Sequence, residues 1–198
     1  MARRTKTEKL FMPDEPVIDD ILDDSYDTLE RILRLAKRQV KTVEVSKPIA
    51  AAGNYAAEDV VSESATAGTA WMFVGVGSGY ITRAHALCEA TALVWRLTLY
   101  LFTDVPTSAL NDNGANTGPS FADLGKYVGK IDFPAMEDLG GMSETLATPN
   151  TVGNLPIAID GENDSAPLYG ILVTRDAEAG EAAGMDISIR LTVDRYYE

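Results

Sequence analysis

The stretch "LVWRLTLYLFTDVP", Leu93 to Pro106, decides the fold. Leu93, Trp95, Leu97, Leu99 and Leu101 take every second position, and Arg96, Thr98 and Tyr100 alternate with them, with Val94 and Phe102 at the ends. A period of two sends the first set to one face of a strand and the second set to the other. That is the mark of a sheet with one face in a core. The run after it, "TDVPTSALNDNGANTGPS", is rich in turn residues and is expected to be a polar loop free to touch neighbours.

The same alternation recurs on both sides of this strand. "YITRAHALCEA" sets Ile81, Arg83, His85 and Leu87 against Thr82, Ala84, Ala86 and Cys88, and Gly75, Gly77 and Gly79 mark a tight turn before it. "TVEVSKPIAAA", interrupted at Pro48, "YAAEDVVSES" and "TAWMFVGVG" read as earlier strands. Downstream, "FADLGKYVGKIDFP" suggests a short helical turn and a strand, and "NLPIAID" and "PLYGILVTRD" continue the series. In "DISIRLTVDRYY", Ile187, Ile189, Leu191 and Val193 share one face. Roughly eight short strands with turn signals between them predict a mainly β fold, an antiparallel β-sandwich or jelly roll. No βαβ alternation is present, which argues against a parallel sheet.

Before these strands the period is helical. Tyr26, Leu29, Leu33, Ala36 and Val40 recur at spacings of three and four within "DDSYDTLERILRLAKRQV", and Ile32 and Leu35 widen that face. Asp24 is placed to cap the helix, and Lys37, Arg38 and Lys41 suit its negative end. The face predicts either a helix laid on its own domain or a short oligomer seam. Ahead of it, Arg3, Arg4, Lys6 and Lys9 form a basic tip followed by Leu10, Phe11 and Met12, and Pro13 and Pro16 keep the opening irregular. The expected division is residues 1–46 as arm and amphipathic helix, used for docking and oligomerisation, and 47–198 as the β domain.

Composition narrows the function. The 198 residues carry a formal net charge of −13, which opposes broad binding to a phosphate backbone and suits docking on basic patches. No stretch approaches the ~20 apolar residues of a membrane span, and no secretory signal pattern follows the basic start. Cys88 is a single cysteine beside apolar neighbours and reads as a buried thiol. His85 is a single histidine, on the opposite strand face from Cys88, and cannot build a His-rich zinc site. "GVGSG" lacks the Lys-[Ser/Thr] pair and following helix of a phosphate loop. The acids cluster in "MEDLGGMSE", "IDGENDSAP" and "RDAEAGEAAGMD", which read as solvated loops. Asp160, Glu162, Asn163 and Asp164 supply oxygens but miss the EF-hand pattern. Trp71, Phe73, Trp95, Tyr100 and Phe102 read as core before they read as a sugar groove. No catalytic residue, metal ligand or cofactor site is assigned.

Several segments together resemble a known family. "LTLYLFTDVPTSALNDNGANTGPSFADLGKYVGKIDFP", with "LPIAI" and "APLYGILVTRDAEAGEAAGMDISIRLTVDRYYE" after it, resembles a recurrent type of tailed-bacteriophage virion protein. The matches are Leu97, Leu99, Leu101, Phe102, Pro106 and Thr107; Asp112 and Asn113; Ala122, Asp123, Leu124, Lys126 and Gly129; and Leu168, Tyr169, Gly170, Leu172, Val173, Thr174 and Arg175. The likeness spans Thr82 to Val193 and leaves out the arm and helix.

What the resemblance implies is a non-enzymatic virion structural protein, a capsid decoration or cement protein. Such a protein binds the major capsid protein lattice as a homotrimer, without nucleic acid, membrane or small-molecule ligand. It would be made in the host cytoplasm and sit on the capsid surface. Arg3, Arg4, Lys6, Lys9, Leu10, Phe11 and Met12 are the expected partner-binding residues, and Tyr26, Leu29, Leu33, Ala36 and Val40 the expected oligomer seam. The alternatives are a tail, baseplate or head-fibre component and a carbohydrate-binding β module on the virion, with a glycan hydrolase last.

Overall fold

The computed structural model describes residues 26–30, 32, 39–50, 53–149, 154–161, 165–179 and 184–195. The chain divides into two compact units, Met1–Lys37 with Tyr197–Glu198, and Arg38–Tyr196. In the first, residues 26–30 and 32 are helical, as the spacing of Tyr26, Leu29 and Ile32 predicts. Leu33, Leu35 and Ala36 lie outside the described residues, as do the basic tip and Leu10 to Met12.

Among the described residues, the second unit contains ten strands: β1 Gln39–Pro48, β2 Trp71–Phe73, β3 Gly79–Cys88, β4 Leu97–Phe102, β5 Tyr127–Asp132, β6 Glu137–Asp138, β7 Ser143–Ala147, β8 Ile157–Ile159, β9 Leu168–Thr174 and β10 Asp186–Arg195. They form two antiparallel sheets. One runs β1-β10-β3-β7-β6, with β8 paired to the other end of β3, and the second runs β2-β9-β4-β5.

This order follows from a ribbon of paired strands. β1 pairs with β10, β2 with β9, β3 with β7 and β8, and β4 with β5. Rolling that ribbon up brings β10 against β3 and β9 against β4, which closes the two sheets. A six-stranded and a four-stranded sheet with these cross-pairings make a jelly roll. The extra hairpin strand β6 extends one edge. β6 and the start of β7 fall in the acidic run that the sequence presents as a loop.

The core lies between the sheets. β4 contributes Leu97, Leu99 and Leu101, and Leu93 and Trp95 are buried just before it. β10 contributes Ile187, Ile189, Leu191 and Val193, none of them exposed. Both strands keep the faces that their alternation predicts. Trp71 and Phe73 enter from β2, and Ile131 from β5. Gly170 on β9 lies opposite Trp71 and Leu101. A Cβ there would stand 2.7 Å from Leu99 Cδ1 and 3.4 Å from the Trp71 and Phe73 side chains, so a larger residue would displace the centre of the core.

β3 corrects the predicted alternation. Its buried residues are Ile81, Ala84, Ala86 and Cys88, whereas Arg83, His85 and Leu87 face outward. The register against β10 slips between Ile81 and Arg83, leaving Thr82 as a bulge. One extra residue reverses every side chain beyond it. Ile81 therefore separates from Arg83, His85 and Leu87.

The other correction is at the start of the domain. Val40, placed on the helix face by spacing, is the second residue of β1, paired with Asp194 and 66% exposed. Ten consecutive pairings with β10 outweigh the few positions of helical spacing. The two compact units meet between Lys37 and Arg38. β1 is also an outer edge of its sheet, and two inward-facing lysines seal it. Lys41 Nζ donates to the Gly75 carbonyl at 2.6 Å. Lys47 Nζ donates to Glu63 Oε2 at 2.7 Å and to the Thr69 carbonyl at 2.6 Å, and sits 5.4 Å from the Trp71 ring centre. Charges turned inward at a sheet border discourage pairing with a stranger.

Candidate functional site

The outer face of the second sheet is where the sequence promised solvent, and it is roofed instead. Phe102, Ile171 and Val173 point away from the main core and form a second apolar cluster with Val60. Tyr100, Leu110, Tyr127 and Tyr169 pack around them. The roof comes from two irregular segments. One is "YAAEDVVSES", which makes single bridges at Tyr55, Asp59 and Val60 and no regular strand. The other is the long connection from β4 to β5.

Buried carboxylates fasten this roof. Asp112 is 3% exposed, and its Oδ1 accepts from the Tyr55 hydroxyl at 2.7 Å and the Ser62 N–H at 2.8 Å. Backbone bonds stitch the same segments: Asp112 N–H to the Ser64 carbonyl at 2.7 Å, Asn113 N–H to Val60 at 2.8 Å, and Val60 N–H to Gly114 at 2.9 Å. Asn113 adopts a positive φ of 55° to make the turn.

Further along, Asp123 is fully buried at the end of a single 3₁₀ turn, Phe121–Asp123. It accepts from the Thr107 N–H at 3.0 Å, the Thr107 hydroxyl at 3.0 Å and the Ser120 hydroxyl at 2.8 Å. Burial pushes its carboxyl up, but these donors, with Lys126 nearby, together pull it below the usual aspartate range. Lys126 closes the base of the connection, pairing with Asp104 at 3.2 Å and donating to the Val105 carbonyl at 3.1 Å.

This locked connection presents apolar side chains to solvent. Phe121 is 91% exposed, and Leu124 and Val105 are also exposed. Beside it, a groove of about 540 Å³ opens between β1, the run into β2 and the roof. Val45, Ala70, Met72, Val105, Leu110 and Tyr169 supply its apolar lining.

Several of the residues that carry the resemblance meet in this connection. Thr107 bonds Asp123, Asp112 fastens the roof, Asn113 turns it, and Gly170 admits the core side chains behind it. Nothing in the spacing of these residues foretold the convergence. The legible signal was Asp and Asn amid turn residues, which bond nearby backbone in preference to solvent.

The remaining candidates fall elsewhere. His85 is half-buried on the outer face of the first sheet, with Nε2 2.7 Å from Glu144 Oε2. Cys88 is buried, its Sγ 3.8 Å from Met185 Sδ, and burial raises its thiol pKa. Trp71, Phe73 and Trp95 are core, and the Trp95 ring stands edge-on to Tyr55 at 5.4 Å. Asp160 lines a separate cavity of about 360 Å³ with Asp104 and Gly161. Glu162, Asn163 and Asp164 lie outside the described residues. Among the described residues, no three His, Cys, Asp or Glu side chains group as a metal site, and no helix is long and apolar enough to cross a membrane.

No protein family matches the chain, and no curated protein does. Among solved structures it is similar to a chain of the Israeli acute paralysis virus full particle heated to 63 degrees. The alignment covers 100% of this chain and 87% of that one, with 14% identity and a TM-score of 0.26. That neighbour is a virus-particle protein, and at such a score the two backbones do not superpose as one fold.

Proposed function

We propose that this chain is a non-enzymatic structural protein of a virion. It acts as a capsid decoration or cement protein that binds the major capsid protein lattice as a homotrimer. One observation carries the reading: Thr107, Asp112, Asn113 and Asp123, which are among the residues of the phage-virion resemblance, fasten the roof of the jelly roll. Asp112 and Asp123 direct their oxygens at loop donors, and Trp71, Phe73 and Trp95 fill the core. A building block under load needs this kind of fixed surface. Symmetric self-association is the usual way to match repeated sites on a lattice. The basic tip and Leu10 to Met12 remain the proposed arm, which gains strength when several arms engage together.

The reading is tested by mixing the purified protein with shells of its virus assembled without it. The shells are expected to bind the protein and to melt at higher temperature. Absence of binding, with the protein recovered instead on tails, would overturn the capsid assignment in favour of a tail component. Specific, saturable binding of a glycan by the wild type would favour the carbohydrate-binding module.

A further inference from the structure

The roof holds a piece of chemistry that its own geometry imposes. Asn113 takes a left-handed φ of 55°, a conformation that asparagine tolerates better than most residues. A Cβ on the next residue would stand 2.2 Å from Asn111 Nδ2 and 3.1 Å from the Asn111 carbonyl oxygen, so the turn selects glycine at 114. The outcome is Asn113–Gly114, the one Asn-Gly pair in the 198 residues. In such a pair no side chain shields the second backbone nitrogen, which can approach the asparagine amide closely. In the folded turn that approach is blocked. The Gly114 N–H donates to the Asn111 carbonyl at 3.3 Å, and the Gly114 carbonyl accepts from the Val60 N–H at 2.9 Å. The Asn113 N–H donates in turn to the Val60 carbonyl at 2.8 Å.

We propose that Asn113 is a deamidation site kept silent by the roof, and that opening of residues 55–64 from 108–117 lets it convert irreversibly. The Gly114 nitrogen attacks Asn113 Cγ, so that the N–Cγ bond forms and the Cγ–Nδ2 bond breaks. The Gly114 amide proton passes through water to the departing nitrogen, which leaves as ammonia. Water then opens the cyclic imide at either carbonyl and gives aspartate or isoaspartate. Either product adds a negative charge next to the buried Asp112, and isoaspartate also inserts a methylene into the main chain. The backbone bonds that close the turn then lose their register, and the roof does not reseat. Modification through a transiently open state follows the population of that state when opening and closing are fast. Asp112, through its bonds to Tyr55 and Ser62, therefore sets the lifetime of Asn113. The inference concerns the roof alone and stands whether or not the chain belongs to a virion.

The test incubates the full chain in mildly alkaline buffer and follows residue 113 by peptide mapping, which separates asparagine, aspartate and isoaspartate. Folded wild type is expected to convert about tenfold or more slowly than the same chain in denaturant. Asp112→Ala should convert about tenfold faster than wild type in native buffer, with amide exchange in 108–117 rising in step. Where that variant fails to fold, wild type in graded, sub-denaturing urea takes its place, and conversion is expected to climb before β10 exchanges. Aged wild type enriched in isoaspartate should lose protection in 55–64 while β10 keeps its own. Equal rates in the folded and the denatured chain would overturn the guard. So would a rate in folded Asp112→Ala no faster than wild type, or a conversion in urea that waits for global unfolding.

Discussion

The two faces of β4 are held by different physics. Inward, Leu97, Leu99 and Leu101 meet the apolar faces of β9, β10 and β2, and area removed from water supplies the stability. Outward, Phe102 and its neighbours on β9 lie beneath a roof of irregular chain, and the roof is secured by carboxylates that accept from fixed donors. Packing tolerates some adjustment of neighbours around a lost methyl group. A buried acceptor tolerates less, because each donor it leaves behind must find water or go without. The inner face therefore determines whether the domain folds, and the outer face determines whether one surface of it is rigid.

Substitutions on each face can break this contrast. Leu99→Ala, at a residue with no exposure, is expected to cost about 2–5 kcal/mol in chemical denaturation, with the whole domain losing stability together. A loss well below that range would mean that the interior collapses around the gap. Asp112→Ala removes the acceptor for Tyr55 and Ser62 and should cost about 1–3 kcal/mol. Its signature is local: amide exchange should rise in residues 55–64 and 108–117 before it rises in β10. Uniform acceleration would show that roof and core are one cooperative unit.

The smallest effect is a pH dependence at the sealed edge. Burial acts to raise the Glu63 carboxyl, but hydrogen bonds from Lys47 and Thr69 outweigh it and hold the carboxyl below its usual value. A group depressed in the folded state stabilises above its unfolded pKa, about 4.3 for glutamate, and that contribution fades as pH falls through the folded value. Lys47→Met should flatten the acid limb of a stability-against-pH curve by removing Glu63's cation. An unchanged limb would place the acid sensitivity at other carboxylates.

The same contrast explains what the sequence made legible. Alternation in Leu93–Leu101 and Ile187–Val193 reported the inner face, because every apolar residue there is also a period-two residue. It failed at Thr82, since a bulge leaves no mark in a run whose residues suit either face. It failed at Val40, where helical spacing continued by coincidence into a strand that β10 dictates. It could not see the roof, whose apolar contributions, Val60 and Leu110, are single residues in turn-rich runs. The jelly-roll order itself depends on pairings across more than a hundred residues, such as Gln39 with Arg195, and no local pattern records those. The candidate surface was half legible. Asp112, Asn113 and Asp123 stood out as motif residues, while the exposure of Phe121 became visible only with its neighbours in place.

The central claim is that this block is built to lie on a repeating shell, and the direct measurement is an image reconstruction of the intact virion. The account predicts density matching the roofed jelly roll at every equivalent lattice position, seated on the major capsid protein. Density for this chain at a single vertex, on the tail, or on no particle at all would contradict it.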